Sequence, residues 1–207
     1  MKLIGMLDSP YVRRVAVSLH ILNLAFEHSS LSVFSGFEQV KAINPVVKVP
    51  TLVTDDDVVL MDSSLILDYA ERLAAPHHSL MPTELQTYAR VQSLTGIALA
   101  ACEKSVQIVY EYNLRPAEKR HQPWLDRIHS QLASALSLMD KAAQNANPWL
   151  FGNMMFQADI AAAIAFRFAC GKLPDQIQAS AYPALAAFCE RAEATKAFLA
   201  FPYPAEG

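Results

Sequence analysis

Three short stretches of this 207-residue chain carry residue types that chemistry uses. Ser9-Pro10 stands where a strand-like run, Lys2 to Met6, gives way to a helical one. A serine caps a helix there, and proline suits the first helical position. Val49-Pro50 stands just ahead of Thr51-Leu52-Val53. A cis bond before Pro50 would turn the N–H and C=O of Val49 outward, where an extended peptide can pair with them as an added strand. Asp62-Ser63 opens another helical run. Free N–H groups, the positive dipole end and the Ser63 hydroxyl, with Ser63 as N-cap, would receive a carboxylate. Asp62 beside them would hold an ammonium. The pair therefore suits an α-amino-acid head group. Each stretch also has a plainer reading, as a helix cap or as a trans proline at a strand start. Only their convergence on one cleft makes a site.

The elements that must bring them together alternate. Lys2 to Met6 is a strand, and Ser9 caps a helix to about Asn23 with Val12, Val15, Ala16 and Leu19 at helical spacing. Phe26 to Leu31 is a second strand, and Phe37 to Ile43 a short helix stopped at Asn44-Pro45. Two β-rich runs, Thr51 to Val53 and Val58 to Leu60, flank the turn Asp55-Asp56-Asp57, and a helix runs on from Asp62 to Leu73. The order β-α-β-α-β-β-α is that of a thioredoxin-like α/β domain, over residues 1–76. The stretch Ala75-Pro76 to Pro82 reads as a linker, because prolines interrupt helix. Residues 83–207 read as an all-helical domain. Its helices are expected at Thr83 to Asn113, with a break near Gly96, at Pro123 to Asn145, Phe156 to Cys170, Pro183 to Ala194 and Thr195 to Phe201. The Phe156 to Cys170 run is apolar almost all round and should lie at the centre.

Three segments, Ser-Pro-Tyr-Val-Arg-Arg-Val at 9–15, Asn-Pro-Val-Val-Lys-Val-Pro-Thr-Leu at 44–52 and Asp-Ser-Ser-Leu-Ile-Leu-Asp-Tyr at 62–69, resemble in order and spacing the N-terminal domain of the cytosolic glutathione transferases. The helical part matches more loosely, through Ala158-Asp159-Ile160. The resemblance implies glutathione as co-substrate and a homodimer. It implies that Ser9 contacts the sulfur and is the catalytic residue. Val49, with Pro50, would pair with the cysteinyl backbone, and Asp62 and Ser63 would take the γ-glutamyl head. Lys48 would lie near the glycyl carboxylate. Leu7, Tyr11, Phe34 and Tyr110 are candidate walls for an apolar electrophile. One departure stands out: where the family has Ser or Thr three residues before the aspartate of the apolar helix, this chain has Phe156 before Asp159. Half of a capping box survives, because Asp159 can still reach back to a backbone N–H.

The chemistry asked of Ser9 is modest. A free thiol has a pKa near ~8.5, and lowering it by ~2 units requires ~2.7 kcal/mol of preferential thiolate binding. A hydrogen bond to a charged group supplies ~1.5–3 kcal/mol, and a helix N-terminus adds ~0.3–1. A hydroxyl donor at a helix start therefore suffices without a general base. Tyr11, two residues into the helix, is the rival donor. The same bound thiolate would also serve peroxidase or isomerase chemistry, and some proteins of this fold are non-catalytic interaction modules.

Other chemistries find little support. Lys plus Arg number 17 against 20 Asp plus Glu, a net charge of -3, which gives no footprint for nucleic acid or an anionic membrane. The most apolar stretch, Ile160 to Cys170, is about half of the ~20 residues a membrane span needs. The N-terminus enters a strand without a secretory pattern. Three cysteines, Cys102, Cys170 and Cys189, lack framework spacing and point to the cytoplasm. None lies at the first helix, which argues against disulfide exchange through a protein thiolate. No metal is expected: His77 and His78 are adjacent in the linker, and His121 and His129 would be ~12 Å apart along a helix.

Overall fold

The computed structural model describes residues 1–204 and contains two units. The first is Met1–Leu80 together with the chain from Thr195 onward, and the second is Met81–Ala194.

The first unit runs β1 (Lys2–Ile4), α1 (Pro10–Ile21), β2 (Glu27–Ser29), α2 (Phe37–Ile43), β3 (Thr51–Val53), β4 (Val59–Met61), α3 (Ser63–Ala74). The order is the expected β-α-β-α-β-β-α, with β1 and β2 trimmed to three residues, β3 as expected and β4 shifted by one residue. The sheet order is β2-β1-β3-β4, with β1 parallel to β2 and antiparallel to β3, and β3 antiparallel to β4. Leu3, Ile4 and Leu52 from the strands, Val12, Val15, Ala16 and Leu19 from α1, and Ile66 and Ala70 from α3 are wholly buried. Each large apolar side chain so placed contributes ~1.5–3 kcal/mol. The β3–β4 turn closes with Thr54 N–H donating to Val58 O at 3.0 Å, and Asp57 adopts φ +59°. Aspartate tolerates that left-handed conformation better than most residues.

The helical domain does not extend to the end of the chain as expected. The last helix, α8 (Lys196–Ala200), belongs with the first unit. The cause is Arg13, fully buried in α1, whose Nε donates to Phe201 O at 2.8 Å and whose guanidinium lies 5.3 Å from the Phe198 ring centroid. Phe201 also stacks on Phe26 at 5.4 Å. A buried guanidinium needs such partners, and α8 with its C-cap Phe201 supplies two of them.

The second unit comprises α4 (Leu85–Asn113), α5 (Gln122–Ala143), α6 (Gln157–Lys172) and α7 (Pro183–Glu193), with single 3₁₀ turns at 117–119 and 179–181. No break occurs at Gly96. A methyl group there would meet nothing within 4 Å, so the glycine sits on an open helix face and costs only ~1 kcal/mol in propensity. As expected, α6 is central: Ala158 through Phe166 are all buried. Asp159 accepts the N–H of Phe156 at 2.8 Å, the surviving half of the capping box, and that of Leu150 at 2.7 Å. Burial pushes its carboxyl up to about 6, against the downward pull of these backbone donors. Among the described residues no helix is long and apolar enough to cross a membrane. None of their His, Cys, Asp and Glu side chains form a group of three or more able to hold a metal.

Candidate functional site

Strand register alone brings three of the singled-out stretches to one end of the sheet. Ile4, the last residue of β1, pairs with Thr51, the first of β3, and Thr51 pairs with Met61, the last of β4. The chain after β1 carries Ser9, the chain before β3 carries Val49-Pro50, and the chain after β4 carries Asp62-Ser63. All three therefore leave the sheet from the same edge of the strands.

Two contacts tighten that arrangement. Gly5 follows β1 with φ +133°, and a methyl group on it would stand 2.5 Å from Val12 Cγ2 and 3.0 Å from Val49 Cβ. Only glycine allows Val49 to lie so close to the start of α1. Arg14 of α1 is 4% exposed and donates from Nη1 to Ser63 Oγ at 3.1 Å and to Ser64 Oγ at 3.2 Å. The first helix is thus tied directly to the N-terminus of α3.

Ser9 caps α1 as the sequence indicates. Its Oγ accepts the Val12 N–H at 3.4 Å, at the long limit for a hydrogen bond, and its side chain is half-buried. The Val49–Pro50 bond is cis. Pro50 is buried, Val49 half-buried and Lys48 exposed. Among the described residues the Val49 N–H and C=O make no hydrogen bond. The preceding carbonyl, that of Lys48, faces inward instead, accepting from Thr51 Oγ1 at 2.6 Å and Asn44 Nδ2 at 3.4 Å.

The cap of α3 differs from the expected one. Asp62 is the N-cap: its Oδ1 accepts the Ser64 N–H at 2.9 Å, so Ser63 becomes the first helical residue and is 3% exposed. Asp62 takes φ +71° and ψ 125°, a conformation that disfavours side-chain-bearing residues and is held only where the surroundings impose it. That twist seats Ser63 inward and leaves the Asp62 carboxylate exposed.

The candidate walls are dispersed. Leu7 and Tyr11 are half-buried near the start of α1, and Phe34, in the β2–α2 connection, is 59% exposed. Tyr110 belongs to the second unit, where it lines a groove of about 650 Å³ with Val106, Leu114, Pro116, Lys119 and Trp124.

Residues 3–78 match the model of the glutathione S-transferase N-terminal domain. The first domain belongs to the glutathione S-transferase family. The whole chain shares that fold, a thioredoxin-like domain followed by helices. A glutathione S-transferase of Methylobacterium radiotolerans, solved with glutathione sulfonate, superposes with a TM-score of 0.89 at 25% identity, over 99% of this chain and 96% of that one. A glutathione transferase family member of Pseudomonas fluorescens, solved with S-(propanoic acid)-glutathione, gives 0.80 at 29% identity over 99% and 100%. The uncharacterized GST-like protein YibF of Escherichia coli is 28% identical over 141 residues, 68% of each chain.

Three residues that shape this candidate site escaped the sequence reading. Arg14 stands out in sequence only as half of an adjacent basic pair; a charge inside the apolar helix was the available signal. Asn44 read as a helix stop. It is 3% exposed and organises the whole loop before β3, donating to Thr51 Oγ1 at 2.9 Å and accepting the Val46 N–H at 3.1 Å. Gly5 gave no motif at all, and only its φ and its contact with Val49 reveal its part.

Proposed function

We propose that the protein is a glutathione transferase whose first unit binds glutathione and keeps its sulfur ionised. The observation that carries this reading is the unpaired Val49 backbone lying at the same sheet end as the Ser9 cap and the Ser63 helix start. An extended γ-glutamyl-cysteinyl-glycine has a main-chain edge for Val49, a carboxylate for the start of α3, and an ammonium for the exposed Asp62. The glutathione-bound relatives support the same ligand. Lys48, exposed beside Val49, suits the glycyl carboxylate.

Ser9 then acts as donor to the thiolate. The proton leaves the thiol for solvent, the Ser9 O–H and the α1 dipole stabilise the anion, and the sulfur attacks an electrophilic carbon. In a substitution the C–S bond replaces the bond to the leaving group, which departs with its electron pair; in an addition the displaced π pair stays on the substrate and takes a proton from solvent. Tyr11 begins two residues into the helix and serves as wall. The electrophile is a small apolar molecule, with Leu7, Tyr11 and Phe34 of the first unit as wall residues.

We also place the protein in the cytoplasm, in keeping with Cys102, Cys170 and Cys189 as thiols outside any disulfide among the described residues. A homodimer accords with exposed apolar side chains along β4 and α3: Val59 at 44%, Met61 at 38% and Leu65 at 65%. Light scattering that returned a monomer mass would remove the dimer.

The test is retention on immobilised glutathione with elution by free glutathione, followed by conjugation of a chloronitroarene. Retention with turnover is the expected result. Retention without turnover would reduce the protein to a binding module, and no retention would overturn the reading.

A further inference from the structure

Serines inside helices ordinarily turn their hydroxyl back onto the chain, and this protein does so repeatedly. Ser134 donates to Ser130 O at 2.9 Å, Ser137 to Ala133 O at 2.8 Å, and Thr95 to Val91 O at 2.7 Å. Ser63 and Ser64 behave differently. They open α3, and both hydroxyl oxygens accept from one nitrogen, Nη1 of the buried Arg14. Among the described residues neither hydroxyl donates a hydrogen bond.

A hydroxyl has one proton and two acceptor lone pairs. When a guanidinium N–H takes a lone pair, the hydroxyl cannot turn its proton toward the arginine, and that proton must point elsewhere. Here two adjacent hydroxyls are biased in this way by one planar group. Ser63 is only 3% exposed, so its proton lacks bulk water as a ready acceptor. The Ser64 N–H is already held by Asp62 Oδ1. The start of α3 is therefore a donor surface made from side chains as well as backbone, and the polarity of those side chains is set from behind by a cation.

We propose that Arg14 is a positioning residue for the α-carboxylate of the γ-glutamyl group: through Ser63 and Ser64 it presets two hydroxyl donors toward that carboxylate without touching it. This rests on the reading of the first unit as a glutathione site. A single N–H pair from a planar fork spans the two oxygens; a lysine ammonium keeps the charge but lacks that fixed geometry.

The experiment uses the full-length protein and two ligands, glutathione and 4-aminobutyryl-cysteinyl-glycine, which differs only by lacking the α-carboxylate. Wild type should favour glutathione. Arg14→Met should raise the glutathione KM about tenfold, as for loss of one charge-assisted hydrogen bond. The KM for the analogue and kcat at saturation should move less than about twofold, because the sulfur end is unaffected. Arg14→Lys should recover part of the discrimination, and it carries the test if the methionine variant fails to fold. In a Ser63→Ala, Ser64→Ala background, Arg14→Lys should change glutathione affinity no further. Equal weakening for both ligands, in whichever variant folds, would overturn the proposal and leave Arg14 as a strut between α1 and α3. A wild type that binds neither ligand would instead remove the glutathione reading itself, and this proposal with it.

Discussion

The two units place their buried polarity differently. In the first, Arg13, Arg14, Ser18, Asn44, Thr51, Thr54 and Ser63 are buried; in the larger second unit the buried polar residues among those described are Thr95, Ser105, Gln157 and Asp159. Backbone conformation divides the same way. The side-chain-bearing residues with positive φ among those described, Asn23, Val47, Asp57 and Asp62, all lie in the first unit. Two of them, Val47 and Asp62, flank the candidate glutathione contacts. The helical unit, by contrast, buries an alanine-rich α6 and uses its buried carboxylate to hold that helix in place. The lesson is that internal polar groups serve two ends: in one unit they hold loops in conformations a ligand can use, and in the other they secure the scaffold. Substitutions in the two units should accordingly separate binding and turnover from stability.

The largest expected effect tests the scaffold side. Asp159→Ala leaves the N–H groups of Leu150 and Phe156 without their acceptor and removes the cap of the central helix. At ~1–3 kcal/mol for each buried donor left unmade, a loss of about 3 kcal/mol is expected in urea unfolding. The surviving folded fraction should bind glutathione normally. The pH dependence has a definite sign. The Asp159 carboxyl is raised from 3.8 to about 6, so the folded chain binds more protons than the unfolded one between those values. The associated stability is fully present below about 4 and is lost as pH rises through about 6. Wild type should therefore lose stability across that window relative to Asp159→Asn; the opposite trend would mean that the backbone donors outweigh burial.

The complementary test is Ser9→Ala. Loss of one hydroxyl donor to a thiolate removes about 2 kcal/mol of stabilisation, equivalent to roughly a thirtyfold fall in turnover. Glutathione KM should hardly move, and stability should fall only by the ~0.5–2 kcal/mol of the lost α1 cap. The pKa of bound glutathione, followed by thiolate absorbance, should rise toward its value in water. Tyr11→Phe should change turnover less than about twofold. If Tyr11→Phe abolished activity and Ser9→Ala did not, the roles would be exchanged.

Between these extremes stands Asn44→Ala, which tests whether one residue serves both ends. Asn44 ties Val46, Lys48 and Thr51 together beneath the Val49 loop. Its loss should cost about 1–3 kcal/mol of stability and raise glutathione KM about tenfold, with kcat little changed. A variant that lost stability alone would show that the Val49 edge holds its shape without Asn44.

These cases also show what a sequence reveals. Element order was readable because it rests on local periodicity and punctuation: Ser9-Pro10 at a helix start, Asn44-Pro45 at a helix stop, three aspartates in a turn. Val49-Pro50 and Asp62-Ser63 could be singled out because their residue types announce donor and acceptor chemistry. Arg14 and Asn44 could not, because their roles depend on which side chains 49 and 7 residues away face them. Gly5 was hidden for the same reason: its importance lies in the close approach of Val49 from another loop. The exchange of N-cap from Ser63 to Asp62 follows from a positive φ that no aspartate signals in advance. The return of α8 to the first unit depended on the burial of Arg13, a long-range event without local signature.

The smallest effect sharpens the comparison most directly, because it asks whether a conformation held for a ligand is held at a cost. Val47 has φ +54°, although a β-branched side chain crowds the backbone there. Its N–H still donates to Asn44 O at 2.8 Å, which closes the turn and imposes the conformation. A left-handed valine costs ~1–2 kcal/mol, while glycine adds back ~0.5–1 kcal/mol of unfolded-state entropy. Val47→Gly should therefore stabilise the protein by about 0.5–1 kcal/mol, which is unusual for a glycine introduced into a loop. The relaxed loop should present the Val49 edge less rigidly, and glutathione affinity should fall by no more than about threefold. A stability gain with a small affinity loss is the signature of strain held in the first unit for binding. If the glycine variant were less stable than wild type, position 47 would hold no such strain, and the contrast between the units would rest on Asp62 alone.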